Sequence, residues 1–209
     1  MKIGIIGTGN VGQALGVTWA QKGYEVIFAT RDPHSEKVQG ILARAGEKAQ
    51  ALKVEEAVAA ADVVILATPW NATESVVTAI PDWTGKILVD ATNPIAPGLQ
   101  LAVSGDNSGA ERVAEWASGA KVVKAFNTTG AENMADPLYQ DQATTMFICG
   151  DDAAAKATVT ELAEALGFEV ADVGPLQTAR YLEPLAMVWI RLALVQGRGR
   201  NMAFKLVQR

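Results

Sequence analysis

Met1-Lys2-Ile3-Gly4-Ile5-Ile6 runs directly into Gly7-Thr8-Gly9-Asn10-Val11-Gly12, and this junction decides the fold. The apolar, β-branched run predicts a strand, and the glycines give G-x-G-x-x-G at the point where a strand turns into a helix. In that context each glycine has its own task. Gly7 permits the tight turn, Gly9 lets the backbone approach a pyrophosphate, and Gly12 lets the helix lie close to the sheet. The phosphates would rest on N–H groups at the helix start, with Thr8, Asn10 and Val11 completing the turn. A bare β–α turn that binds nothing is the alternative reading of the same glycines.

Outward from this unit, short apolar runs alternate with helix-like stretches. Glu25 to Thr30, Ala49 to Leu52, Val63 to Thr68, Ile87 to Asp90 and Val122 to Phe126 read as further strands. The alternation predicts an α/β protein with a Rossmann doubly wound, mostly parallel sheet. The nearly continuous Val63-Val64-Ile65-Leu66-Ala67 suits a strand covered on both faces. Asn71 with Glu74 reads as a capping box opening the Ser75 to Ile80 segment. Asp151-Asp152, before an alanine-rich stretch that stops at Gly167, marks another helix. Beyond it lie a short strand, Glu169 to Val173, the turn Gly174-Pro175, and an apolar helix from Thr178 to Gln196. Residues 1–148 are therefore expected to form a nucleotide-binding domain, and residues 149–209 a small C-terminal α/β subdomain that completes the site.

The 209 residues are 49% hydrophobic and 20% charged, enough apolar material to bury a core. A net charge of -5 argues against nucleic acid or an anionic membrane surface as partner. Cys149 is the single cysteine, which excludes an internal disulfide and a multi-cysteine metal site and fits a reducing, cytoplasmic setting. No metal is expected. No apolar run approaches membrane-spanning length, so a soluble chain is expected.

The end of the second strand distinguishes the two nicotinamide cofactors, because NAD sites place an acidic residue there for the ribose 2′-hydroxyl. This chain has Ala29-Thr30-Arg31. A guanidinium offers a planar fork suited to a 2′-phosphate, and Thr30 and Ser35 add hydroxyls, so NADP(H) is favoured. Asp32 follows at once and either caps the next turn or reaches the ribose of NAD. The nicotinamide end is expected at the carboxyl ends of the later strands, which read Thr68-Pro69-Trp70, Thr92-Asn93-Pro94 and Phe126-Asn127-Thr128. Trp70 fits a cleft wall or the core equally well.

Alcohol or hydroxy-acid dehydrogenation needs a placed proton donor, usually His, Lys or Tyr. The single histidine, His34, follows Arg31 on the adenosine side, and Lys121 and Lys124 sit at a strand with no recognisable catalytic context. No residue is therefore assigned as catalytic. The pattern points to chemistry that two coenzymes perform between themselves, such as hydride exchange between nicotinamide and a flavin-like ring.

Gly7-Thr8-Gly9-Asn10-Val11-Gly12, Thr30-Arg31, Thr68-Pro69-Trp70, Cys149-Gly150-Asp151-Asp152 and Gly174-Pro175-Leu176 with Arg180 and Glu183 together resemble the NADP(H)-dependent coenzyme F420 (deazaflavin) reductases. The tail Gly197-x-Gly199 with Phe204-Lys205 is similar to theirs as well. The middle differs: Asp90-Ala91-Thr92-Asn93 and Val122-Val123-Lys124-Ala125-Phe126-Asn127-Thr128 are similar to the oxidoreductase domain of the STEAP metalloreductases. The resemblance implies a nicotinamide ring stacked on a flavin or deazaflavin (F420, FMN, FAD or riboflavin). Carried over by residue, Asn93, Ala125 and Asn127 fall in the nicotinamide pocket, and Asn93, Pro94, Asn127 and Arg180 become acceptor contacts. Arg180 with Glu183 as an ion pair on the helix surface is the other reading. Asp32-Pro33 stands where the deazaflavin pattern has a second arginine.

Two other functions compete. One is an imine or carbonyl reductase akin to pyrroline-5-carboxylate reductase, for which the C-terminal part is short. The other is an NADP(H)-binding sensor without turnover, since a fold and a cofactor site do not establish catalysis. The apolar Leu182 to Val195 segment is expected to pack across a two-fold axis in a homodimer, with burial within one chain as the other reading.

Overall fold

A computed structural model describes residues 1–209. The first half is a regular alternation: β1 (Lys2–Ile6), α1 (Asn10–Gln21), β2 (Glu25–Ala29), α2 (Glu36–Ala45), β3 (Ala49–Leu52), α3 (Val54–Ala60), β4 (Val63–Leu66), α4 (Trp70–Thr78) and β5 (Ile87–Asp90). A small hairpin, β6 (Ile95–Ala96) and β7 (Gln100–Leu101), precedes α5 (Gly109–Trp116), β8 (Lys121–Lys124) and α6 (Glu132–Ala135). A second hairpin, β9 (Leu138–Tyr139) and β10 (Gln142–Ala143), leads to β11 (Thr145–Gly150), α7 (Ala153–Leu166) and β12 (Glu169–Asp172). The chain closes with α8 (Ala179–Ile190), which runs into a π-helical turn, Arg191–Val195.

An eight-stranded sheet in the order β12-β11-β8-β5-β4-β1-β2-β3 holds the molecule together. From β1 the chain winds one way through β2 and β3 and then returns to β4, β5 and β8. The switch point therefore lies between β1 and β4, where the carboxyl ends of strands open a crevice. The expected doubly wound α/β sheet is present, and its parallel ladders run from β3 to β8.

Alternate residues of the buried strands feed two core layers. Ile3, Ile5, Val63 and Ile65 face α1, α2 and α7, where Leu15, Trp19, Ile41 and Leu162 pack. Ile6, Val64 and Leu66 face α3, α4, α5 and α8. Both faces of β4 are thus covered, which is why its run is continuously apolar. The Trp19 indole donates to the Leu162 carbonyl at 3.0 Å, tying α1 to α7.

Three local expectations change. The run Thr145–Gly150 is a strand that the sequence reading leaves out; it joins the sheet antiparallel to β8 and carries β12 at the edge. The expected boundary after residue 148 falls inside it, so the C-terminal segment extends the same sheet: ladder bonds from β8 and β12 satisfy its backbone. The capping box at Asn71 is replaced by an earlier start. Helix α4 opens at Trp70 with Pro69 in the cap position, whose carbonyl accepts the Ala72 N–H at 2.9 Å and the Thr73 hydroxyl at 3.1 Å. A proline has no N–H to leave unpaired at a helix start, and its fixed φ suits that position. By contrast, Asp152 caps α7 through the Ala155 N–H at 2.8 Å, and Gly167 ends the helix, as expected.

Candidate active site

The glycine turn shows which constraints come from the protein and which do not. At Gly7 φ is +114°, and a Cβ there would stand 2.4 Å from the Ala67 carbonyl oxygen. A Cβ on Gly12 would stand 1.9 Å from the Gly7 oxygen. Neither position tolerates a side chain. Gly9 is different: its backbone is extended and a Cβ would meet nothing within 4 Å. The fold does not require glycine there, but a pyrophosphate closing on the backbone would. Gly9 also occupies the cap position of α1 without a side-chain cap, and the first turn carries no acidic residue. These N–H groups and the positive end of the helix dipole suit an anion.

Two clefts meet at this turn. The first, about 450 Å³, is bounded by Gly7, Thr8, Thr30, Arg31 and Thr68. Arg31 is exposed at its mouth and enters none of the ion pairs of the structure. Asp32 caps the turn: its Oδ1 accepts the His34 N–H at 3.0 Å, and its carbonyl accepts the Ser35 hydroxyl at 3.0 Å. Ser35 lies outside the residues lining this cleft, and His34 is exposed. The second cleft, about 640 Å³, shares Thr68 and Pro69 with the first and adds Val11, Trp70, Thr92, Asn93 and Ile95. No ionisable side chain lines it. Trp70 forms part of its wall and, half-buried, packs its ring at a tilt against Trp116, with centroids 5.5 Å apart, at the edge of the core.

Asn93 is fixed from behind. Its Nδ2 donates to the Asn127 carbonyl at 2.9 Å, and its Oδ1 accepts from Asn127 Nδ2 at 3.1 Å. Asn127 is 4% exposed, donates also to the Leu182 carbonyl at 3.1 Å, and keeps a buried Oδ1 without a partner. It therefore supports the cleft through Asn93. Ala125 is fully buried in the core, and Pro94 is buried, its carbonyl accepting the Ala102 N–H at 2.7 Å; neither lines a cleft.

Arg180 closes its fork on Glu111, at 2.9 and 2.7 Å, so this guanidinium is engaged rather than open to an acceptor. Hydrogen bonding from Arg180 holds the Glu111 carboxyl below its ordinary range. The surface pair of Arg180 with Glu183 is absent for the same reason: Glu183 is 1% exposed and turned inward. There it meets Lys124 at 2.9 Å, and Lys124 meets Asp90 at 2.8 Å. Burial alone would push the Lys124 ammonium's pKa down, but the two carboxylates beside it raise it, so it stays charged. No motif in the sequence marks this cluster as functional. Its signal is three charged residues set in apolar runs, a place where charge is rare unless paired.

The turn, the unpaired Arg31 and the helix start fit a dinucleotide with a 2′-phosphate. The fold and these clefts define a dinucleotide-binding protein on a Rossmann sheet, suited to NADP. A family model described as NADP oxidoreductase, coenzyme F420-dependent, matches residues 2–94. The F420-dependent NADP reductase of Methanothermobacter thermautotrophicus is 30% identical over 224 residues, 99% of this chain and 94% of that protein. A crystal structure of a candidate F420-dependent NADP reductase from Arthrobacter sp. FB24 superposes with a TM-score of 0.90 at 34% identity, covering 100% of both chains. The chain belongs to the F420-dependent NADP reductase family. It is also 33% identical over 187 residues to the metalloreductase STEAP3 of Rattus norvegicus, 89% of this chain but 36% of that protein's length.

Proposed function

We propose that this chain passes a hydride between NADP(H), bound across the glycine turn, and a second ring coenzyme in the adjoining cleft. A deazaflavin of the F420 type comes first, with FMN or FAD as the alternative. The carrying observation is that the cleft beside the turn has no ionisable side chain in its lining. Hydride exchange between two rings asks the protein for orientation rather than for a placed acid or base, whereas imine or carbonyl reduction needs a proton donor. The family itself supports the deazaflavin.

Bound NADP(H) supplies or accepts the hydride at its nicotinamide ring. The chain's own contribution is binding and alignment. The Gly7 to Gly12 turn and the start of α1 hold the pyrophosphate, and Arg31 with Thr30 holds the 2′-phosphate. Thr68, Pro69 and Trp70 shape one wall, and Asn93, locked by Asn127, supplies an amide on the other. The walls are apolar or neutral, so no fixed charge lines the space offered to the rings.

The test is NADPH oxidation on adding F420, FMN, FAD or a cyclic imine in parallel. Oxidation by F420 faster than by the flavins is expected. Oxidation by the imine alone favours the imine reductase reading, and tight NADPH binding without oxidation by any acceptor favours a sensor.

Two copies pairing through α8 is part of the same proposal. It is supported by Tyr181, Val188 and Leu194, which are 75, 49 and 54% exposed on the outer side of that helix and its continuation. Light scattering that gives a monomer mass contradicts it. A cytoplasmic location is supported by the lone buried thiol, and no helix is long and apolar enough to cross a membrane.

A further inference from the structure

Lys124 ends β8 with a fully buried side chain, and its ammonium has three oxygen partners. It donates to Asp90 Oδ2 at 2.8 Å and to the Thr92 carbonyl at 2.7 Å, and it forms an ion pair with Glu183 Oε1 at 2.9 Å. The three acceptors belong to different pieces of the fold: the end of β5, the loop entering the ring cleft, and the middle of α8. Each is held further. Asp90 Oδ1 takes the Thr92 N–H at 2.9 Å and the Thr92 hydroxyl at 2.7 Å. The Glu183 carboxylate takes the Gly109 and Ala110 N–H groups at 2.9 and 3.0 Å, at the first turn of α5.

Thr92 is thus fixed at its amide, its hydroxyl and its carbonyl, and the next residue is Asn93. The side chain of Asn93 is fixed independently by Asn127, whose Nδ2 bonds the Leu182 carbonyl. Leu182 and Glu183 are consecutive on α8. One turn of the C-terminal helix therefore holds Asn93 by two routes, one through Asn127 and one through Lys124 and Thr92. A buried ion cluster seldom stabilises a fold more than well-packed apolar side chains of the same volume; what it adds is direction.

We infer that Lys124 and Glu183 are positioning residues for the ring cleft: they set the register of α8 against the loop after β5 and so fix the orientation of Asn93. The inference rests on the NADP(H) site described above. It makes the C-terminal helix, which does not line the cleft, part of what orients the nicotinamide half of the cofactor.

The test compares two ligands. NADP⁺ spans both clefts, whereas 2′,5′-ADP carries the 2′-phosphate and adenosine without the nicotinamide. Two variants are used, Glu183→Gln, and a triple variant, Asp90→Asn with Lys124→Met and Glu183→Gln, which removes every charge of the cluster at once. Each is first compared with wild type by thermal melting. The expected result is unchanged affinity for 2′,5′-ADP with NADP⁺ affinity lowered about tenfold, in the triple variant even where its melting point equals or exceeds that of wild type. A merely structural cluster gives a folded triple variant that binds both ligands as wild type does. That outcome, or equal weakening of both ligands, overturns the inference while leaving the cofactor reading intact. A wild-type chain that binds neither ligand overturns both.

Discussion

A Cβ placed on Gly12 would stand 1.9 Å from the carbonyl oxygen of Gly7, so the first turn of α1 lies directly on the backbone that ends β1. The contact is backbone against backbone and cannot be relieved by rotating a side chain. Gly12→Ala is expected to lower stability by about 1–3 kcal/mol, the range for overpacking a close contact. Gly9→Ala meets open space, so its stability should stay within about 0.5 kcal/mol of wild type while NADP⁺ affinity falls about tenfold or more. Denaturant melts and a NADP⁺ titration of both variants check this pair of outcomes. A Gly9→Ala variant that binds as wild type does would remove the pyrophosphate from the turn.

Arg31 stands at the adenosine cleft without an acidic partner, ready for an anion. Arg31→Ala is expected to weaken NADPH binding by the worth of a charge-assisted contact, roughly 1.5–3 kcal/mol, and to leave NADH binding nearly unchanged. Parallel titrations decide it, and equal losses for the two cofactors would sink the assignment to the 2′-phosphate.

Glu111 is depressed chiefly by its hydrogen bonds from Arg180, and that sets the sign of a pH effect. The folded pKa lies below that of the unfolded chain, about 4.3 for a glutamate. The stabilisation is therefore fully present above the unfolded value and disappears as pH falls through the folded one. Arg180→Met should be less stable than wild type at neutral pH, and the gap between them should close in acid. Urea melts across that range measure it; a gap that stays constant to the lowest pH means the pair contributes nothing through the charge of Glu111.

Burial pushes the Cys149 thiol up to about 12, with the Lys124 charge opposing and the neighbouring carboxylates adding to the rise. The nucleophile is the thiolate, so this group is expected to be inert at neutral pH. A maleimide should label it only after denaturant is added. Stoichiometric labelling of the folded chain contradicts the buried placement.

What the sequence makes legible is what is local. Strand, glycine turn and helix are contiguous at β1 and α1, and the Asp152 cap and the stop at Gly167 lie within one helix. The strand expected through Phe126 stops at Lys124. Phe126 takes a φ of +61°, gives its N–H to the Met146 sulfur at 3.1 Å, and turns its ring between Trp19 and Phe168. No run of residues announces such a turn, because tertiary packing imposes it. The same holds for the site. Thr68, Pro69, Trp70 and Asn93 sit at strand ends, where the doubly wound pattern leads one to look, and they do line the cleft. The partners of Lys124, Arg180 and Asn127 come from remote segments, so their roles emerge only when β5, β8, α5 and α8 are brought together.

Direct passage of hydrogen between two rings is what the proposed reaction requires, and isotope transfer tests it most plainly. NADPH deuterated at the nicotinamide C4 position that is transferred would be oxidised by F420 in ordinary water, and the reduced deazaflavin examined by mass spectrometry. A deazaflavin carries the incoming hydrogen on carbon, where it does not wash out. One deuterium is expected in the product for each NADPH consumed. NADPH consumption with the deuterium released to water, or no consumption at all, would contradict it.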